Sequence, residues 1–165
     1  LAAMRARARK EGLIVEMRRI PKPDASPEER VSAGGKVRNP VIECASYGLP
    51  LQRALKYLPS WRMVRKPAER GDDPLPDWQY VQRPKGAGRT HLPVMLDHSR
   101  EYLGHLPDDV AALEVGPRML LAYWQERPGT NEQSVVDLAG VLRGLEGVLT
   151  GLDAEIEAQQ TCNDS

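Results

Sequence analysis

The sequence contains no phenylalanine, and only 5% of its 165 residues are aromatic. Its two cysteines, Cys44 and Cys162, stand far apart in the chain, which excludes a Cys-x-x-Cys site and a disulfide framework. Free thiols are typical of a reducing cytoplasm. No apolar run approaches the ~20 residues that a membrane-spanning helix needs. We therefore expect a cytoplasmic protein that makes no contact with a membrane.

Catalytic motifs are also missing. The chain has no Gly-x-Ser-x-Gly sequence, no Walker loop and no His-Glu-x-x-His sequence. Its histidines, His91, His98 and His105, recur every seven residues, and seven residues span about 10.5 Å along a helix, too far for two ligands of one metal. The sequence thus predicts no metal site and no cofactor. An enzyme is the least favoured class, because no nucleophile, base and orienting group can be combined.

The most prominent feature that is present is a division of charge. The formal net charge is zero, but residues 1–90 hold 19 Lys and Arg against 10 Asp and Glu, a net of +9. Residues 91–165 hold 4 Lys and Arg against 13 Asp and Glu, a net of −9. A basic region suits DNA or another polyanion. A further possibility is that the acidic half folds back on the basic half and masks it.

Local patterns predict a mainly α fold with one or two small β-hairpins, in three regions. Residues 1–58 form a basic region, with a helix over 1–11, strands at 13–15 and 36–38, and short helices over 40–46 and 51–58. Residues 59–90 form a pair of short strands and a basic linker. Residues 91–165 form an acidic, helical region.

A near-repeat supplies the main candidate site. Residues 61–67 read WRMVRKP and residues 78–84 read WQYVQRP, and each copy alternates as a short strand does. Aromatic rings interleaved with cations favour nucleic acid, since bases stack on rings while cations hold phosphates. The alternative is that the tryptophans form a small core. The predicted nucleic-acid contacts, including those of the first helix, are Arg5, Arg7, Arg9, Lys10, Trp61, Arg62, Arg65, Lys66, Trp78, Tyr80, Arg83, Lys85 and Arg89.

The last helix carries a heptad pattern. Its apolar residues are spaced 3-4-3-4-3-4, which is typical of a helix that packs lengthwise on another helix. Thr130 and Gln133 are expected to cap its start. Interior glycines at 140, 144, 147 and 151 require either a second helix packed closely over them or a weak helix. The predicted interface for a partner helix, or for self-association, is Val135, Leu138, Leu142, Leu145, Leu149, Leu152 and Ile156.

One stretch resembles a known family. EGLIVE at 11–16 and GGKVRNP at 34–40, placed between helices, resemble part of the small subunit of phage terminases, in which an Asn-Pro pair starts a helix after a β-hairpin. The resemblance covers residues 1–58. It implies a non-enzymatic, oligomeric DNA-recognition subunit that acts beside a packaging ATPase.

Two functions follow from these observations. The first is a non-catalytic, nucleic-acid-associated protein, such as a phage DNA-packaging component, in which residues 1–90 contact phosphate and residues 91–165 assemble. The second is a helical protein–protein interaction or adaptor module with no nucleic-acid role, in which the leucine pattern binds a partner helix.

Overall fold

A computed structural model describes residues 1–22, 26–65, 78–82 and 92–163. Three helices and six strands make up this part of the chain. In chain order they are α1 (Ala2–Lys10), β1 (Ile14–Pro21), β2 (Val41–Pro50), β3 (Trp61–Arg65), β4 (Trp78–Gln82), α2 (Leu92–Gly104), β5 (Val110–Val115), β6 (Met119–Trp124) and α3 (Glu132–Asn163). The protein is therefore a mixed α/β fold, and the prediction of a mainly α protein is wrong.

The six strands form one sheet in the order β1-β2-β6-β5-β3-β4, and every neighbouring pair is antiparallel. β2 pairs with β6, and β3 pairs with β5, so the two strands of the acidic half lie between two pairs of strands from the basic half. A strand pair is held by inter-strand backbone hydrogen bonds. The two halves of the chain consequently share one sheet and one core.

The helices cover one face of this sheet. Apolar residues of α1, α2 and α3 join one cluster with inward strand residues such as Tyr47, Trp61 and Leu120. The alternate strand residues, among them Cys44 and Tyr123, form a smaller second cluster that contains no described helix residue. Successive side chains of a strand point to opposite faces. The sheet thus has a helix-covered face and a helix-free face.

Three local predictions are wrong. Residues 40–46, expected to form a short helix, belong to β2, and residues 51–58 form bends rather than a helix. The expected helical region after residue 91 contains β5 and β6. The physical reason is that β2 and β6 are buried between strands, where β-branched and aromatic side chains pack well and local helix propensity has little weight.

Two predicted strands have the expected position. β3 and β4 coincide with the two copies of the near-repeat, and they pair with each other. The predicted strand at 36–38 is reduced to a single bridge between Val31 and Val37, while β1 instead pairs with β2 over its full length.

The N-cap residue of the last helix lies one position later than predicted. Asn131 accepts a hydrogen bond from the Ser134 backbone N–H at 3.1 Å, so this pair caps α3 in place of Thr130 and Gln133. Of the four interior glycines, Gly144 lies under the ring of Tyr102 from α2, whereas Gly140, Gly147 and Gly151 face open space. A second helix does pack closely over the stripe, at one glycine.

Candidate functional site

The tryptophans of the near-repeat lie in the protein core. Trp61 is fully buried and Trp78 is 4% exposed. Trp61 meets Tyr80 edge-on, with 6.4 Å between ring centroids, and the guanidinium of Arg65 covers the Trp78 ring at 4.6 Å from its centroid. Base stacking needs an exposed aromatic face, so neither tryptophan can bind a base in this fold. Both tryptophans are packing residues of the core.

The arginines of β3 bind acceptors of the same chain. Arg62 Nε donates to Glu114 Oε1 at 2.8 Å, and Arg65 donates to the backbone carbonyls of Val110 at 2.9 Å and Pro107 at 2.8 Å. Burial acts to lower the pKa of Arg62, but the hydrogen bonds and charges of Glu114 and Tyr123 together outweigh burial and raise that pKa. Both arginines therefore form hydrogen bonds within the fold. The other predicted contacts of this stretch lie outside the described residues: Lys66, Arg83, Lys85 and Arg89.

The basic residues of α1 are distant from the tryptophans. α1 contacts β1 and α3, while β3 and β4 form the opposite end of the sheet. Arg5 lies 3.8 Å from Glu126, and Arg7 lies 3.1 Å from Glu11. Two basic residues of this helix are exposed: Arg9 and Lys10. The structure does not bring the predicted nucleic-acid contacts together on one surface.

The heptad residues of α3 are buried in the core of the same chain. Six are at most 7% exposed and Leu152 is partly buried, and all seven belong to the main cluster or pack against it: Val135, Leu138, Leu142, Leu145, Leu149, Leu152 and Ile156. A helix face that already covers the sheet has no free surface for a partner helix. The predicted helical adaptor and the coiled-coil interpretation are therefore wrong.

A buried carboxylate anchors the connection between β2 and β3. Asp153 of α3 has no exposed surface. It accepts hydrogen bonds from the backbone N–H groups of Lys56 at 3.1 Å, Tyr57 at 2.8 Å and Leu58 at 3.0 Å, and Arg53 Nη2 lies 3.4 Å away. Buried charge needs this density of donors. Sequence reasoning missed this residue, whose signal is an acidic side chain beside the apolar stripe of α3.

The helix-free face carries a charged cluster across β3, β5 and β6. Besides its bond to Glu114, Arg62 lies over the ring of Tyr123, 5.4 Å from the centroid. The Tyr123 hydroxyl donates to Glu114 Oε2 at 3.5 Å. Burial first, and the charge of Glu114 second, raise the pKa of Tyr123. These contacts link β3, β5 and β6 on the helix-free face.

The outer edge of β1 is an accessible end of the sheet in the part of the chain that the structure describes. β1 is the end strand of the sheet and pairs with β2 from Ile14 to Pro21 with no irregularity in register. Among the described residues, no strand pairs with its other side. Met17 is 61% exposed and Ile14 is 46% exposed. An end strand of this kind presents a row of backbone donors and acceptors.

The described ranges contain neither a candidate metal site nor a candidate membrane-spanning helix. Within them, no group of three His, Cys, Asp or Glu side chains could hold a metal ion. None of the described helices has the length and apolar character that crossing a membrane requires. The free thiols differ in place, since Cys44 is buried and Cys162 is exposed, and burial raises the pKa of Cys44.

Comparison with known proteins identifies no family. No family model and no curated protein matches the chain. Among solved structures, the chain is similar to mycobacterial trehalose monomycolate transport factor A, TtfA, with a TM-score of 0.48 and 11% identity over 90% of this chain and 93% of that one. The predicted nucleic-acid-associated, phage-packaging role is wrong. Among the described contact residues, the tryptophans are buried, Arg62 and Arg65 bind groups of the same chain, and α1 lies near the opposite end of the sheet.

Proposed function

We propose that this chain is a non-catalytic protein-binding subunit that accepts a β-strand of its partner along the outer edge of β1. The observation that carries the proposal is the exposed end strand itself. β1 is eight residues long, longer than the usual strand of about five or six residues. Addition of a strand to such an edge gains main-chain hydrogen bonds along its whole length, and alternate side chains provide specificity.

The two ends of the sheet differ in a way that supports this role. β4, at the far end, has five residues, and its pairing with β3 is interrupted by a register shift between Arg62 and Met63. Short length and bulges are common means of protecting an edge from unwanted pairing. β1 has neither of these, and it exposes apolar Met17. The β1 edge carries charged residues, but it is long and regular in register, and a strand-binding site requires such an edge.

The charged groups of the described residues also favour binding over catalysis. Asp153 is satisfied by backbone donors, and Glu114 is held by Arg62 and Tyr123. These two carboxylates therefore stabilise the fold. The binding surface in this proposal is a strand edge, not the buried leucine face of α3.

The test uses a labelled peptide of alternating Thr and Val with a Lys-Lys tail, added to dilute full-length chain. We expect anisotropy to rise and hydrogen exchange in residues 13–21 to slow, because the added strand protects outward amides. Met17→Lys places a charge on the edge and should weaken binding about tenfold, a change of about 1.4 kcal/mol.

Val94→Lys is the matched control, because Val94 is 49% exposed on α2 and far from β1 in the chain. It should bind the peptide as the unmodified chain does. Unchanged exchange in residues 13–21 at saturating peptide would contradict the proposal, as would equal loss of binding in the two variants.

A further inference from the structure

We infer that the strand accepted at this edge is β1 of a second copy, aligned antiparallel and centred on Met17, so that two sheets join into one. This inference rests on the proposed function and names the partner of that edge. The structure supports it through the charges of β1, the faces on which they lie and the exposure of the central residue.

The charges of β1 are self-complementary about Met17. A two-fold axis through position 17 places Glu16 opposite Arg18 of the second copy, and Arg18 opposite Glu16 of that copy. In the single chain Arg18 already pairs with Glu16 of its own strand. The four charges would therefore alternate in sign around the axis, and opposite charges on facing strand positions are stabilising.

The alternative registers are unfavourable. Moving the axis by one residue places Glu16 opposite Glu16 of the second copy, or Arg18 opposite Arg18 of the second copy. Directly opposed like charges destabilise a strand pair. An axis between two residues would turn the two helix-covered faces to opposite sides, because successive side chains alternate between faces. Charge and face together thus favour position 17 over its immediate neighbours.

Apolar contacts agree with the same register. Met17, 61% exposed, would face Met17 of the second copy on the side of the helices. On the helix-free side, exposed Ile14 would lie opposite Ile20 of the second copy. The pairing therefore buries the two most exposed apolar residues of β1, which an isolated chain leaves in water.

Charge reversal tests the pairing. Sedimentation equilibrium of the full chain should show a dimer. Glu16→Arg and Arg18→Glu should each weaken it by about tenfold or more, because each creates two like-charge pairs. The double variant with both reversals should restore the dimer, since it exchanges the signs without removing the complementarity. A double variant as weak as the single ones would overturn the inference.

Disulfide formation tests the register. In a Cys162→Ser background, Met17→Cys should form a covalent dimer under mild oxidation, because directly opposed Cα atoms lie about 4.5–5.5 Å apart. Arg19→Cys should not, because the two thiols would be about 13 Å apart along the strands. Equal cross-linking of both variants would overturn the register, and circular dichroism of each variant confirms that it folds.

The failures of the two proposals are distinguishable. A chain that stays monomeric at every concentration, yet binds the Thr-Val peptide at residues 13–21, keeps the strand-binding function and loses the second copy as partner. A dimer that Met17→Lys does not weaken, and that Met17→Cys does not cross-link, also overturns the inference. A chain that neither dimerises nor binds the peptide overturns both proposals.

Discussion

The two faces of the sheet use the same strands for different purposes. In β3, Trp61 and Met63 point to the helix-covered face and are fully buried, whereas Arg62 between them points to the helix-free face and keeps 30% of its side chain exposed. The helix-covered face is mostly apolar, and its buried Asp153 meets backbone donors. The difference shows that one face supplies most of the stability of this fold, while the other links its strands through charge.

The largest expected effect is on the helix-covered side. Asp153→Ala should lower the free energy of unfolding by about 3–5 kcal/mol, because buried N–H groups of the 51–60 connection lose their acceptor. Urea unfolding followed by tryptophan fluorescence measures this change. Glu155→Ala, an exposed residue of the same helix, is the control and should leave stability nearly unchanged. A loss for Asp153→Ala below about 1 kcal/mol would show that the connection is held by other contacts.

A medium effect is expected where α2 packs on α3. A methyl group at position 144 would overlap the Tyr102 ring, with Cδ1 2.6 Å away, so Gly144→Ala should destabilise the protein by about 1–3 kcal/mol. Gly140→Ala has open space around it and should stabilise α3 by up to about 1 kcal/mol. Thermal unfolding of both variants measures the difference. The same sign for both would contradict the close helix contact.

The smallest effect is expected on the helix-free face. Glu114→Gln removes the charge that holds Arg62, but 23% of the Glu114 side chain is exposed, so solvent screens the pair and the loss should be about 1 kcal/mol or less. Glu43→Gln, in the exposed pair with Arg19, is the control and should cost less still. Urea unfolding of the two variants ranks them. If Glu114→Gln lowered the free energy of unfolding as much as Asp153→Ala does, the two faces would not differ in their contribution to stability.

Sequence patterns located some elements because those elements depend on local signals. α1 and α3 lie where helix propensity and apolar spacing predict them, and β3 and β4 lie at the two copies of the near-repeat. Residues 40–46 and the region after residue 91 are predicted to be helical, but they contain part of β2 and the strands β5 and β6, which neighbours distant in sequence stabilise. The predicted nucleic-acid contacts rest on residue type alone. Residue type does not show whether a side chain is buried, as Trp61 and Trp78 are.

The division of charge between the two halves of the sequence also does not predict where the charged residues lie in the fold. Several basic residues of the first half pair with acids of the second half, as Arg5 does with Glu126 and Arg62 does with Glu114. These ion pairs link the two halves within one fold. The ion pairs between the halves form because β2 lies beside β6, and β3 beside β5, in one sheet. The two halves are therefore not separate domains that contact each other only at a surface.

Sequence alone determined the periodic features of this protein: the helical spacing of leucines in α3, the alternation in β3 and β4, and the self-complementary charges of β1. Each of these is a property of residues within one element, where backbone geometry sets the period. Only the tertiary structure decided which periodic face is covered, that Asp153 is buried among backbone donors, and that β1 is left at the end of the sheet. Those outcomes depend on strand order, which contacts between distant segments establish.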